Sequence, residues 1–358
     1  GSCWYYLRFI DARNDQAFVG SDAERYWMGG KKADGAPRAG GVDLYLGGAE
    51  HAVLHLLYAR FWHKVLFDLG LVSTGEPFRK LFNQGMIQSF AFRDRRGITV
   101  GPDVVEERGE NEYVLKETGE PVTRIIAKMS KALKNVVNPD KVIAKYGADT
   151  FRLYEMYMGP LDAAKPWNTR DVPGLFKLCH RIWRLVVDEN TGDLSTSLVD
   201  DQPDAGALRI LHKTIKRVTE DIRQLKINTA IAALFDFVNY MTPLPRRSRA
   251  VIEPFVLVMS PFAPHLGEEL WQRLGHHTTL AYEPWPALDE KLARDDQVEI
   301  AVQVSGKIKA RIMVAADADD DSLRDAALAD TKVAAAIEGK TIRKVIVVKG
   351  RLINIVAV

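Results

Sequence analysis

Two cysteines among 358 residues, Cys3 and Cys179, are too few for a disulfide framework and cannot by themselves fill a four-ligand zinc site. Such sparing use fits a reducing compartment, and the expected location is the cytoplasm. No apolar run approaches the ~20 residues a bilayer span needs, so no membrane role is expected. Charge of one sign is also missing: 49 Lys and Arg stand against 47 Asp and Glu, so no global basic field advertises nucleic acid. Any RNA contact has to come from local patches. The chain does not begin with Met or with the layout of a signal peptide, and Gly1-Ser2-Cys3-Trp4 reads as a chain entered in the middle of a domain. What is there is ordinary for a globular protein, 47% hydrophobic and 27% charged, at a length that exceeds what one core usually organises.

Residues 1–91 mix short apolar runs with one strong helical signal, which suits an α/β layer. Val42-Asp43-Leu44-Tyr45-Leu46 reads as a short buried strand ended by Gly47-Gly48, and Glu50–Leu69 as a helix with Val53, Leu57, Phe61 and Leu66 on one face. Strand, glycine turn and helix make a ligand-binding layout. Residues 92–124 are polar, with strand-like runs only at Glu112–Leu115 and Val122–Ile126, and predict a small hairpin insertion. In residues 125–170, Asn138 is the expected cap of a helix that starts at Pro139 and stops at Gly147, followed by a second helix from Asp149 to Met158.

Residues 171–295 predict a bundle of four or five helices. Apolar residues three and four apart recur in Leu175, Leu178, Ile182 and Leu185 and again in Ile227, Ile231, Leu234 and Val238. Asn190–Gly206 and Pro243–Arg247 are the breaks. In residues 296–358 the period changes to two: Val298, Ile300, Val302 and Val304 alternate, Ser305-Gly306 turns, and Ile308, Ala310, Ile312 and Val314 alternate again. Ser322 is the expected cap of a helix running to Glu338, and strands on either side of a Gly350-Arg351 turn complete a ββαββ unit.

Two segments could carry chemistry. Lys128-Met129-Ser130-Lys131 lies in a polar loop before a capped helix, where two ammonium groups can meet the charge of a polyphosphate. Alone, a pair of loop lysines is more commonly just solvated. Gly47-Gly48 lets the backbone approach a ligand, and His51 and His55, four apart, share one face of the expected helix. A zinc reading would prefer Glu directly after the first His, but Ala52 stands there, so no metal site is assigned. Capped or core histidines remain an open alternative to ligand contacts.

Taken in order, these segments resemble leucyl-tRNA synthetase, a class I aminoacyl-tRNA synthetase. The resemblance rests on Ser2-Cys3-Trp4-Tyr5-Tyr6-Leu7-Arg8, on Gly47-Gly48-Ala49-Glu50-His51 continuing to Phe61, on Asn83-Gln84-Gly85-Met86, and on Lys128-Met129-Ser130-Lys131 with Asn135-Val136-Val137-Asn138-Pro139. It continues through Tyr146-Gly147-Ala148-Asp149, Lys165-Pro166-Trp167 and Ser260-Pro261-Phe262-Ala263-Pro264-His265. The last of these also looks like valyl and isoleucyl relatives, whereas the final ββαββ unit, Ser2 and Tyr5 speak for the leucyl family.

The resemblance implies a multidomain α/β plus all-α chain. Its parts would be half of a Rossmann-like catalytic core (1–91), the hairpin insertion (92–124), the lysine loop and a stem-contact region (125–170), a helical anticodon-binding domain (171–295) and a tRNA-binding domain (296–358). It implies leucine-tRNA ligase chemistry, with ATP entering as its Mg2+ complex. Lys128 and Lys131 would be the catalytic cations. Gly47, Gly48, Glu50, His51, Gln84, Met86, Met129 and Ser130 would join them around ATP, and Ser2, Tyr5 and His55 would border leucine. Lys213, Lys216, Arg217, Arg246, Arg247, Lys307, Lys309, Arg343 and Lys344 are the candidate partners of tRNA(Leu) phosphates. Two departures stand out. Ala132-Leu133-Lys134 replaces the family's usual continuation of the lysine loop, and the family's His-Ile-Gly-His signature and editing domain do not occur in the chain. The expectation is therefore a C-terminal portion that needs the N-terminal half, in the same chain or as a split subunit, for activity. The alternatives are a tRNA-binding module without chemistry and a valyl or isoleucyl fragment.

Overall fold

A computed structural model describes residues 1–30, 40–294, 297–316, 318–348 and 351–358. It is a mixed α/β molecule with twelve α-helices and several sheets among the described residues. None of those helices is long and apolar enough to cross a membrane.

The first region contains α1 (Tyr5–Arg8), α2 (Ser21–Met28), β1 (Tyr45–Leu46), α3 (His55–Asp68) and β2 (Leu81–Phe82). β1 and β2 pair in parallel, Tyr45 beside Leu81 and Leu46 beside Phe82. A small core of Tyr6, Leu7, Met28, Ala59 and Val72 holds the layer together. Within it His63 is fully buried, Nδ1 2.8 Å from the Tyr6 hydroxyl and Nε2 2.8 Å from the Thr74 carbonyl oxygen. Burial without a carboxylate contact disfavours the cation, so the His63 pKa is pushed down. The expected long helix is shorter at its start: Ala49–His51 forms a 3-10 turn and α3 begins only at His55. Its apolar face also differs from expectation. Val53, Leu57 and Phe61 are exposed, and the face turned inward carries Ala59 and His63, with Leu66 packed against it.

Next come β3 (Ile87–Arg93), β4 (Thr99–Val100), β5 (Val105–Gly109), β6 (Glu112–Leu115) and β7 (Pro121–Lys128), in the order β4-β3-β7-β6-β5. The insertion is thus part of a larger sheet, and Val105–Gly109 is a strand that its charged Val-Glu-Glu-Arg-Gly sequence does not announce. Pairing with β6 supplies its hydrogen bonds, and one exposed edge removes the need for apolar alternation.

α4 (Pro139–Tyr146), α5 (Ala148–Tyr157) and β8 (Lys165–Trp167) lead into α6 (Val172–Val186), and β9 (Leu198–Val199) follows it. Asn138 caps α4 by accepting from the Asp140 N–H, and Gly147 ends it at φ +85°, a left-handed turn that glycine adopts without Cβ strain. α7 (Ala205–Gln224), α8 (Ile227–Met241), β10 (Arg247–Ser248), α9 (Arg249–Met259) and α10 (Pro264–Arg273) complete the helical region. Leu175, Leu178, Ile182 and Leu185 are all buried, as are Ile231, Leu234 and Val238, and Phe237 stacks on Phe255 with ring centroids 3.8 Å apart. One continuous core runs from Val142 in α4 through Trp167 to Leu280, so the expected boundary at residue 170 lies inside it. Asp149 fastens α5 to α10, accepting from the Leu266 N–H at 2.7 Å and from His265 Nδ1 at 2.9 Å, while Arg152 donates to the Pro261 carbonyl at 2.9 Å. Asp149 at the start of α5 therefore caps the N-terminus of α10 from a separate segment.

The last region is β11 (Gln297–Val304), β12 (Lys307–Ala315), α11 (Asp320–Ala329), α12 (Thr331–Ile337), β13 (Ile342–Val348) and β14 (Leu352–Ala357), with strand order β12-β11-β14-β13. Ile300, Val302, Val304, Ile353 and Ile355 face the helices and form its core. The single helix expected here is two. Asp319, rather than Ser322, caps the first by accepting from the Ser322 N–H, and Asp330 ends it and caps the second. Of the expected Gly350-Arg351 turn, Gly350 lies outside the described residues.

Candidate active site

Because β1 and β2 are parallel, the segments that follow them leave from the same end: Gly47-Gly48 after β1 and Asn83-Gln84 after β2. In an α/β layer this is the end where ligands enter. A cavity of about 610 Å³ opens there, lined by Ser2, Tyr5, Tyr45, Leu46, Gly47, Gly48, Glu50, His51, His55, Leu56 and Gln84. The structure thus brings together residues expected around ATP (Gly47, Gly48, Glu50, His51, Gln84) and all those expected around leucine (Ser2, Tyr5, His55). Gly47 faces open space, whereas a Cβ on Gly48 would lie 2.2 Å from a carboxylate oxygen of Glu50. Glycine at position 48 lets the Glu50 carboxylate fold back across the turn.

One side chain that the sequence analysis did not single out organises this cavity. The Tyr45 hydroxyl lies 2.6 Å from that of Tyr5 and 2.7 Å from His55 Nε2, and its ring stacks on Phe78 at 4.0 Å. Burial, then the hydrogen bond to Tyr5, pushes the Tyr45 pKa up, so the phenol stays neutral. A neutral phenol has one proton to give. When Tyr45 donates it to His55 Nε2, Tyr5 donates to Tyr45 and the imidazole proton of His55 sits on Nδ1. No sequence signal marks Tyr45, because a lone aromatic on a two-residue strand reads as packing. His51 stands edge-on to His55 at 6.2 Å, although a turn, not a shared helix, sets them together.

The lysine loop approaches from a second sheet. β3 and β7 are antiparallel, with Gln88 opposite Lys128, so Gln84–Met86 before β3 and Lys128–Lys131 at the end of β7 lie at one edge. Lys128 and Lys131 are exposed, and neither they nor Ser130 line the cavity. Two expectations change here. Met129 packs, partly buried, on the helical core, and Met86 lies off the cavity, its carbonyl accepting from the Lys165 N–H at 3.1 Å. A Cβ on Gly85, between Gln84 and Met86, would fall 2.1 Å from the Ala163 backbone, so this position admits glycine only.

Of the cations expected to meet RNA, those of the helical region are engaged within the chain. Lys216 pairs with Glu290 at 2.8 Å, Arg217 with Asp221 at 2.7 Å, and Arg246 with Asp201. Lys213 is half-buried. Arg247 is 8% exposed within β10, its backbone N–H donating to Ser197, and burial lowers its pKa, so it is withdrawn as a phosphate partner. Lys307, Lys309, Arg343 and Lys344 are all exposed on β12 and β13, the two edge strands of the last sheet.

Comparison with known proteins places these features in context. The family described as tRNA synthetases class I (I, L, M and V) matches residues 126–165, and the anticodon-binding domain of tRNA ligase matches residues 204–324. The chain is 53% identical to a leucine–tRNA ligase of Saccharopolyspora erythraea over 99% of its own length and 37% of that protein's. It is likewise 53% identical to one of Streptomyces coelicolor, over 99% of this chain and 36% of the relative. The chain therefore spans a little over a third of the length of the curated relatives it matches. Among solved structures it resembles a LeuRS of Agrobacterium radiobacter K84 in a ternary complex with tRNA and LeuAMS, with a TM-score of 0.71, 27% identity and coverage of 100% of this chain and 42% of the other.

Proposed function

Because the chain belongs to the leucine–tRNA ligase family of class I tRNA synthetases, we propose that it forms the nucleotide-side part of the leucine-activating site together with the tRNA-holding regions behind it. The observation that carries this reading is the convergence of Gly47, Gly48, Glu50, His51, Gln84, Ser2, Tyr5 and His55 on one cavity, with two lysines at the adjoining sheet edge. In the proposed reaction a leucine carboxylate oxygen attacks the α-phosphorus of Mg2+-bound ATP, the bond to the β-phosphate side breaks, and leucyl-adenylate and pyrophosphate form. The leucyl group then passes to the terminal adenosine of tRNA(Leu), releasing AMP. The exposed ammonium groups of Lys128 and Lys131 stabilise the charge that gathers on the leaving pyrophosphate, which requires the loop to swing toward the cavity. Glu50 and His51 meet the ribose and adenine. The Tyr5–Tyr45–His55 chain walls the leucine side, presenting an apolar surface with fixed hydroxyls.

In this reading residues 1–91 are half of a Rossmann-like core, 92–124 its insertion, 125–170 the loop and stem-contact region, packed into one core with the anticodon-binding helices of 171–295, and 296–358 a second tRNA-binding unit. Leu57, Tyr58, Phe61 and Trp62 stand exposed on α3, with Phe61 at 63%, an apolar face that supports a partner from the rest of the catalytic core, on the same polypeptide or a separate subunit. The free thiols Cys3 and Cys179 support a cytoplasmic setting.

The test is leucine-dependent ATP–pyrophosphate exchange by this chain assembled with the remainder of a class I core, beside gel shifts of the chain with leucine and valine tRNAs over a salt series. Exchange that needs leucine and falls at least about tenfold in Lys128→Ala and Lys131→Ala is the expected result. Preference for valine tRNA, or exchange indifferent to both lysines, overturns it.

A further inference from the structure

Asn135 is 2% exposed, and its amide reaches three segments at once. Oδ1 accepts from the Ser130 N–H at 2.9 Å. Nδ2 points at the carbonyls of Lys128, Ala127 and Ser89, at 3.3, 3.5 and 3.4 Å. One group thus touches the end of β7, the strand β3 beside it, and the middle of the lysine loop. An amide suits the place because it offers an acceptor to the loop N–H and two donors to carbonyls. Apart from Met129, whose side chain packs partly buried on the helical core, the loop's remaining bonds are internal: Leu133 N–H donates to Ser130 Oγ at 3.2 Å and Lys134 N–H to the Lys131 carbonyl at 3.1 Å. Lys134, the residue next to Asn135, sits at φ +50°, a left-handed conformation that costs a residue with a Cβ. The contacts are graded, one ordinary bond to the loop and three long ones to the strands, so the attachment defines a position and can still let go.

We propose that Asn135 is the positioning residue of the Lys128–Lys131 loop, holding Ser130, and with it both ammonium groups, in register with the sheet edge beside the cavity. The inference rests on the reading that this loop serves the phosphates of ATP. Asn135 touches no substrate in this role and acts through Ser130 and Lys128. Replacing it with alanine leaves the Ser130 N–H and the three carbonyls without their shared partner. Replacing it with aspartate keeps the acceptor for Ser130 but turns a carboxylate oxygen toward the three carbonyls.

The experiment compares Asn135→Ala, Asn135→Asp, Lys128→Ala and Lys131→Ala in the complete ligase. It reads the KM and kcat of leucine-dependent pyrophosphate exchange and the hydrogen–deuterium exchange of peptides covering 128–134. Unchanged deuterium uptake across α7–α9 serves as the control for folding. Both Asn135 variants are expected to speed amide exchange in the loop about tenfold or more and to lower kcat by a similar factor, with KM for leucine within about twofold of the parent. Loop exchange and kcat that match the parent in either variant overturn the positioning role. Lysine variants with undiminished exchange defeat the reading of the loop itself, whereas the deuterium result still decides whether Asn135 holds it. Should the alanine variant lose its fold, the isosteric aspartate variant carries the same decision.

Discussion

The helical region and α3 were read from the same kind of signal and behave oppositely. In α6 and α8 the apolar residues three and four apart turn inward, Ile227 only partly, down to 0% exposure at Leu178 and Phe237. In α3 the corresponding face, Leu57 and Phe61, stands in the open at 61% and 63% exposed. Periodicity says which side chains share a face; whether this chain supplies the surface that covers it is a separate matter. In the helical region neighbouring helices of the same chain do so. On α3 the inward positions went instead to Ala59, small enough for close approach, and to His63, which brings hydrogen bonds to Tyr6 and Thr74.

Substitutions can break this contrast. The largest effect is expected from Phe237→Ala, which removes one of two stacked rings from a fully buried site and should cost about 3–5 kcal/mol in denaturant unfolding of the helical region. Asp149→Ala comes next, at about 1–3 kcal/mol, because the half-buried Leu266 N–H loses its acceptor and α10 its cap. At the other extreme Phe61→Ala should change the stability of this chain by no more than about 0.5 kcal/mol, and a large loss in the same titration would mean that the α3 face is already covered.

Acidification sharpens the comparison in another way. The folded His63 pKa lies below the ordinary value of 6.5, so the unfolded state binds the proton first as pH falls. Its contribution to stability is complete above about pH 6.5 and is lost below that, down to the depressed folded pKa. Melting curves between about pH 7.5 and pH 5.5 should show a loss for the first region that His63→Gln reduces, and a pH dependence identical in the two proteins would contradict the assignment.

For RNA the same contrast separates engaged from available cations. Neutralising Lys309 and Lys344 together should lower the salt slope of tRNA binding by about two, whereas Lys216→Ala and Arg217→Ala should each change it by well under one, since Glu290 and Asp221 already compete for those charges. Equal slopes for the two sets would remove the distinction.

Much of the helical architecture was legible because its signals are local. The Asn138 cap, the Gly147 stop and the apolar faces depend on neighbours within a turn or two. The departures came from pairing partners and competing caps, near or far in sequence, that a segment's own pattern does not name. β5 exists because β6 lies beside it, Arg247 is buried because β10 pairs with β9, and Asp319 displaced Ser322 as a cap in a run of acidic residues where several could serve. At the cavity the glycine turn was legible from the sequence, whereas the four-residue spacing of His51 and His55 suggested a shared helix where a 3-10 turn brings them together. Tyr45 was not legible: an aromatic on a two-residue strand reads as packing until Tyr5 and His55, forty residues before it and ten after it, are seen on either side of its hydroxyl.

Strand β8 is only three residues long, yet it is rooted at both ends. Trp167 is 3% exposed among the helices, and two residues earlier the Lys165 backbone is stitched to Met86, just past Gln84 on the cavity rim. In mechanical terms it is a splint. A torque applied to the helices by a bound macromolecule meets a hydrogen-bonded strand here, not a loose loop, on its way to the rim of the cavity.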